Sequence, residues 1–370
     1  MIKVAGIYIH IPFCKKRCIY CDFFSSVSTD KKTTYLNAVC DELKQRKEYL
    51  KEEVETIYFG GGTPSLLSSG DFEVVFETIY SNYRLKADQR EITLEANPDD
   101  LNPEYLDSLR SLPFNRLSLG IQSLDDKELC FLNRRHDAAA ALQAVENAQK
   151  AGFENISIDL IYGLPGQDLK SWKKTLRQVC GLGIQHISAY HLTYEEGTSL
   201  YRLWETGKVG APDEDLSLRL FEVLIETLEI NGFDQYEISN FAQPGFHSRH
   251  NLSYWEGKPY LGIGAAAHSY NGTNRSWNGS RLDYLETEQE IEEINEETAY
   301  NEFIITRLRT KRGIDTNELE SLFGEERFLL FLKKTAKYFQ AGLLENESER
   351  IRFTRKGLFI SDGIMSELMI

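Results

Sequence analysis

The chain has 370 residues, 41% hydrophobic and 27% charged, with 57 acidic against 42 basic residues and a net charge of −15. That length allows one large domain and a smaller one, and the acidic balance argues against a nucleic-acid partner, since phosphate binding draws on Lys and Arg. The opening MIKVAGIYIHIPFC has no apolar leader core and no apolar run reaches the ~18 residues of a spanning helix, so a cytoplasmic protein is expected.

Short β-branched runs recur along the first half: GIYIH (6–10), VETIYF (54–59), EITLEA (91–96), NRLSLG (115–120), NISIDLIY (155–162) and HISAYHL (186–192). Amphipathic segments lie between them, such as TYLNAVCDELKQRKEYL (34–50) and AAAALQAVENAQKAG (138–152). This rhythm predicts an α/β fold of parallel βαβ units; six units fit a partial (β/α) barrel or a doubly wound sheet. The pattern changes after residue 212. A helix is expected over 211–233, a strand at YEISNFA (236–242), and an exposed helix face in the acidic run ETEQEIEEINEE (286–297). Helical segments 301–314 and 326–345, then a short strand and a helix within 349–368, predict a small winged-helix-like unit. The expected division is 1–212, 213–298 and 299–370.

Of six cysteines, Cys14, Cys18 and Cys21 form C-x3-C-x2-C just after the first expected strand. Cys40, Cys130 and Cys180 are isolated and are expected to be buried packing residues. In the cytosol a tight thiol cluster reads as metal-binding or redox-active. Three thiolates can hold three irons of a [4Fe–4S] cluster and leave the fourth open. Zinc, with His10 as a fourth ligand, is the alternative, but a second C-x2-C half is missing.

The second strand runs into GGGTPS (60–65), where glycines let a ligand approach the backbone. Glu95, Gln122 and Asp159 fall at or near the ends of later strands, with Arg134 soon after Gln122. An acid such as Asp159 inside an apolar run is costly unless paired or binding something. Convergence of these residues on one strand-end face points to a ligand site.

C-x3-C-x2-C with an aromatic before its last cysteine, followed by GGGTP after the next strand, resembles the radical S-adenosylmethionine (SAM) superfamily. YIHIPFC, LEANPDDL, LSLGIQSL, LNRRHD and DLIYGLPGQ narrow the resemblance to its HemN-like branch, the oxygen-independent coproporphyrinogen III oxidases and their relatives. It implies a partial (β/α)6 barrel, a [4Fe–4S] cluster on Cys14, Cys18 and Cys21, and SAM contacts at Tyr8, Tyr20, Gly61, Gly62, Thr63, Glu95, Gln122, Arg134 and Asp159. The oxidases carry a further cysteine where Phe23 stands, and a longer segment before the cluster; here 13 residues precede Cys14. Both differences are shared by a sister group of haem chaperones with an HNxxYW motif, which HNLSYW (250–255) resembles. That group implies bound haem, with His250 as candidate iron ligand and Tyr254 and Trp255 stacking on the porphyrin. It also implies haem-accepting partners, including membrane-bound respiratory proteins. Peripheral membrane contact and a homodimer stay open. The alternatives are oxidase activity on coproporphyrinogen III, which the resemblance disfavours, and radical SAM chemistry on another substrate.

Overall fold

The computed structural model describes residues 4–88 and 90–370; Met1–Lys3, part of the stretch read for a leader, lie outside the described residues. Six parallel strands follow in chain order: β1 (Val4–Ile11), β2 (Glu53–Gly61), β3 (Glu91–Ala96), β4 (Arg116–Gln122), β5 (Ile156–Tyr162) and β6 (His186–His191). They neighbour one another in that order. Alternation along each strand sorts its side chains. On β1, Ile7, Ile9 and Ile11 are fully buried in the main core, with Val39 and Leu43 of helix Lys32–Gln45. Gly6, Tyr8 and His10 turn to the other, polar face, which encloses the barrel interior.

Segment 213–298 supplies both edges of this sheet. β7 (Asp234–Gln235) and β8 (Asn240–Ala242) add antiparallel beyond β6. β9 (Tyr260–Ile263) pairs parallel with β1, and β10 (His268–Tyr270), β11 (Asn274–Trp277) and β12 (Glu290–Glu293) extend it antiparallel. The twelve strands leave β12 and β7 as free ends, so the barrel is partial. Helix Glu214–Ile230 covers the β5–β6 side, where Trp172 Nε1 donates to the Leu220 carbonyl at 3.0 Å.

A second core centres on Tyr300, Ile304, Phe331 and Ile351, under a small sheet of β13 (Ile314–Asp315), β14 (Leu344–Glu347) and β15 (Arg350–Phe353). Phe359 meets Phe221 edge-on at 5.0 Å, and Arg309 pairs with the buried Glu237 at 2.9 Å, joining this unit to the barrel. No helix among the described residues is long and apolar enough to cross a membrane.

Three expectations change. YEISNFA is not one strand: it supplies the turn and second strand, β8, of a hairpin whose first strand, β7, precedes it, and Glu237 in the turn accepts from Ser239 N–H and Arg309. The acidic run forms the edge strand β12 beside β11 instead of a helix face: Ile291 is 68% exposed, so the run has no apolar stripe to bury. Cys130 is exposed and Cys180 half-buried, and Cys40 alone of the three is buried.

Candidate functional site

The cysteine loop leaves β1 at its C-terminal end and is zipped at its base, where Cys14 N–H donates to Ser26 O at 2.9 Å and Ser26 N–H to Pro12 O at 2.7 Å. It lies over the GGGTPS turn. Gly61 has φ +107°, and a Cβ there would meet His10 at 2.6 Å; a Cβ on Gly62 would lie 2.8 Å from Phe13 O and 3.0 Å from Cys14 Sγ. Glycine is therefore required by close approach as well as by backbone conformation. The Thr63 hydroxyl donates to Cys14 Sγ at 3.5 Å.

All three cysteines face a cavity of about 1060 Å³ at the C-terminal ends of the strands. Tyr20, Gly61, Gly62, Thr63, Glu95, Gln122, Arg134 and Asp159 line it too, so loops far apart in sequence converge as expected. Tyr8 and His250 are not in the lining. Tyr8 lies beneath it, stacked on Tyr58 at 6.1 Å with its hydroxyl 3.2 Å from His10 Nδ1. His10 is buried and its other nitrogen lies 3.0 Å from Phe24 O, so the ring has no nitrogen left for zinc. Among the described residues no three His, Cys, Asp or Glu side chains lie close enough to hold a single metal ion.

Arg134, Glu95 and Asp159 are charged groups of the cavity lining. Arg134 donates to Cys18 Sγ at 3.3 Å, to Asn97 Oδ1 at 2.8 Å and to Gly120 O. Glu95 accepts from the Tyr58 hydroxyl at 2.7 Å and from Gly61 N–H at 3.2 Å. Burial nonetheless pushes its carboxyl up to about 7. Burial likewise pushes Asp159 up to about 6, opposed by the Arg116 charge and by hydrogen bonds from Ser188 and Ser118. Burial also pushes the Cys21 thiol up to about 11, so a metal must displace its proton to bind.

His250, the candidate haem ligand, lies apart from the cavity lining. Helix Arg249–Trp255 closes the opposite end of the barrel, with Glu91 on β3 accepting from Arg249 N–H and His250 N–H, both at 2.9 Å. The His250 ring is 1% exposed; Nδ1 lies 2.8 Å from Thr56 Oγ1 and Nε2 2.9 Å from the Tyr254 hydroxyl. Both nitrogens are engaged, so in this arrangement neither is open to haem iron. Trp255 packs under Arg309 at 4.6 Å instead of facing the cavity. His268 is exposed and stacks on Trp277 at 5.5 Å.

The sequence reading missed Asn97, Asp100 and Arg135, although LEANPDDL and LNRRHD were singled out. Their signal was adjacency to site residues, not strand-end position. It also missed His191, the only histidine among the cavity's lining residues, which ends β6 with Nε2 2.8 Å from Ser217 Oγ.

Residues 8–179 match the Radical SAM superfamily and residues 294–360 the HemN C-terminal domain. The fold is shared with coproporphyrinogen III oxidase (HemN) from Escherichia coli, at a TM-score of 0.85 and 24% identity over 99% of this chain and 90% of that one. With three thiols beside a glycine-rich turn at a partial barrel's mouth, the chain belongs to the radical SAM superfamily, which implies a [4Fe–4S] cluster and SAM. It is 34% identical to Heme chaperone HemW of Lactococcus lactis subsp. lactis over 100% of this chain and 98% of the relative. Heme chaperone HemW of Bacillus subtilis is 33% identical, covering 98% of both chains. Radical S-adenosyl methionine domain-containing protein 1, mitochondrial, of Bos taurus is 33% identical over 99% of this chain and 87% of the relative. The chain belongs to the HemW family.

The donor set fits the implied groups: three thiols share one cavity with Arg134, two carboxylates and a backbone cradle that a Cβ would fill. A reduced [4Fe–4S] cluster, when bound, supplies one electron to SAM. Arg134 would then place positive charge beside the Cys18 sulfur, Glu95 and Asp159 would accept hydrogen bonds from the nucleoside, and Gly61–Thr63 would admit the amino-acid end to the backbone.

Proposed function

We propose that this chain is a cytoplasmic haem chaperone. Cys14, Cys18 and Cys21 hold a [4Fe–4S] cluster, and Tyr20, Gly61, Gly62, Thr63, Glu95, Gln122, Arg134 and Asp159 hold SAM, with Tyr8 supporting them from below. Haem is the cargo, passed to haem-accepting proteins that include membrane-bound ones. The observation that carries this reading is the single cavity of about 1060 Å³. It reaches the upper end of the roughly 300–1,000 Å³ range of small-ligand pockets, and beyond the residues assigned to SAM it continues to an apolar wall. Leu218 and Phe221 of helix Glu214–Ile230 and Phe359 and Ile360 of the C-terminal unit form that wall, beside His191. We place the cargo there, because the His250 ring is closed by Thr56 and Tyr254.

The test is a haem titration of the anaerobically reconstituted protein, followed by Soret absorbance, with His191→Ala and His250→Ala alongside. Saturable binding by the parent, weakened by His191→Ala, supports the reading. Loss only in His250→Ala returns the cargo to the HNLSYW helix. Unsaturable binding by all three, with turnover of coproporphyrinogen III, would replace the chaperone by the oxidase.

A further inference from the structure

Asp100 ends a short 3-10 turn, Pro98–Asp100, just beyond β3 and the Glu95 carboxylate. Its side chain is 4% exposed, and its two oxygens take three partners from three separate loops. Oδ1 accepts from Lys15 Nζ at 2.7 Å. Oδ2 accepts from Ser65 Oγ at 2.9 Å and from the Arg135 guanidinium at 3.2 Å. Asp99 takes the other side of that guanidinium at 2.9 Å.

Each partner borders a different part of the cofactor site. Lys15 follows Cys14. Ser65 is two residues beyond Thr63, in the turn whose Gly62 touches the cysteine loop. Arg135 follows Arg134, which donates to Cys18 Sγ. Lys15 is 85 residues from Asp100, and Ser65 and Arg135 are each 35 away, so no local chain geometry enforces this convergence. The Lys15 side chain is 54% exposed, and that bond alone is worth little. Ser65 is buried and Arg135 is 14% exposed, so losing their shared acceptor leaves a hydroxyl and a guanidinium short of a partner away from water.

We propose that Asp100 is a positioning residue that couples the cluster-bearing loop to the two loops that contact SAM. A displacement of any one loop pulls on the same carboxylate, so SAM seated against Gly62, Thr63 and Arg134 also fixes where Cys14 and Cys18 stand. This rests on the cofactor reading given above. It assigns Asp100 no contact with SAM or iron.

The test uses the full chain, reconstituted anaerobically. Asp100→Asn keeps the side chain's size and removes its charge. Its three thiols are untouched, so a full iron and sulfide complement is expected. The SAM dissociation constant is expected to rise about tenfold, within the range usual for coupled sites. The change in the reduced cluster's EPR signal on SAM addition should require correspondingly more SAM. Ser65→Ala removes one arm and should weaken SAM severalfold, with no further loss on combining the two variants. Unchanged SAM affinity and EPR response in Asp100→Asn overturn the proposal. If Asp100→Asn does not fold, Ser65→Ala and Arg135→Met decide it: SAM affinity within twofold of the parent in both refutes the coupling. A parent that takes up no cluster or SAM would instead refute the cofactor reading itself.

Discussion

Thr56 and His250 are joined by a hydrogen bond of 2.8 Å across the closed end of the barrel, 194 residues apart in sequence. With Tyr254 on the other ring nitrogen, His250 is held as a structural group. His250→Ala would open a cavity and leave the Thr56 and Tyr254 hydroxyls without a partner. The expected cost is about 2–4 kcal/mol, measured by urea unfolding of the metal-free protein. Stability within ~0.5 kcal/mol of the parent would show that the ring is not packed as described.

The same ring sets a pH dependence. Burial, with the Arg116 charge next, lowers His250 to about 3. Its folded value thus lies below the unfolded value of ~6.5, so the folded state binds fewer protons between them. Its contribution is complete above ~6.5 and is lost as pH falls. In unfolding curves from pH 7 to 4, the stability gap between the parent and His250→Gln should narrow by up to about 1.4 kcal/mol per unit. A constant gap would mean that the ring is charged or solvated when folded.

The six strands were legible because each is a short apolar or β-branched run with one face in a continuous core. The cysteine loop and GGGTPS were legible because their chemistry fits within eight or fewer residues. HNLSYW could be recognised but not placed: what fixes it is the Glu91 carboxylate, 159 residues from the His250 N–H it accepts. Asp100 was hidden for the same reason, since its three partners lie in loops that only the folded barrel brings together. The acidic run was misread because an edge strand needs one pairing partner and no apolar stripe, and the partner, β11, lies in a stretch that reads as a Gly- and Asn-rich loop.

SAM affinity should rise with pH. Glu95 at about 7 and Asp159 at about 6 are partly protonated in slightly acid solution, and only the ionised forms give full acceptor capacity to a nucleoside's hydroxyls. Both folded values lie above the unfolded carboxylate range, so ionising them also destabilises the empty protein as pH rises through 6 and 7. Calorimetric titration with SAM from pH 5.5 to 8 is expected to show a several-fold gain that levels off above about 7.5. Glu95→Gln should bind more weakly and flatten the upper part of the profile. A flat parent profile would remove these carboxylates from the SAM site.

The steric requirement that bears directly on the cysteine loop lies at Gly62. Its missing side chain lets the GGGTPS turn lie against Phe13 O and Cys14 Sγ, where a methyl group would sit at 2.8 and 3.0 Å. Phe13 and Cys14 cannot yield easily, because Phe13 is fully buried and the loop's base is zipped through Ser26. Gly62→Ala should therefore shift the first cysteine relative to the other two. Strain of this kind costs about 1–3 kcal/mol in packed interiors, which the fold should survive. Cluster assembly is more sensitive, because three thiols must meet one rigid cube. Iron content and absorbance near 400 nm after reconstitution should fall by at least half, with unfolding temperature lowered by only a few degrees. Full cluster content in Gly62→Ala would show that the turn and the cysteine loop are not in the contact described.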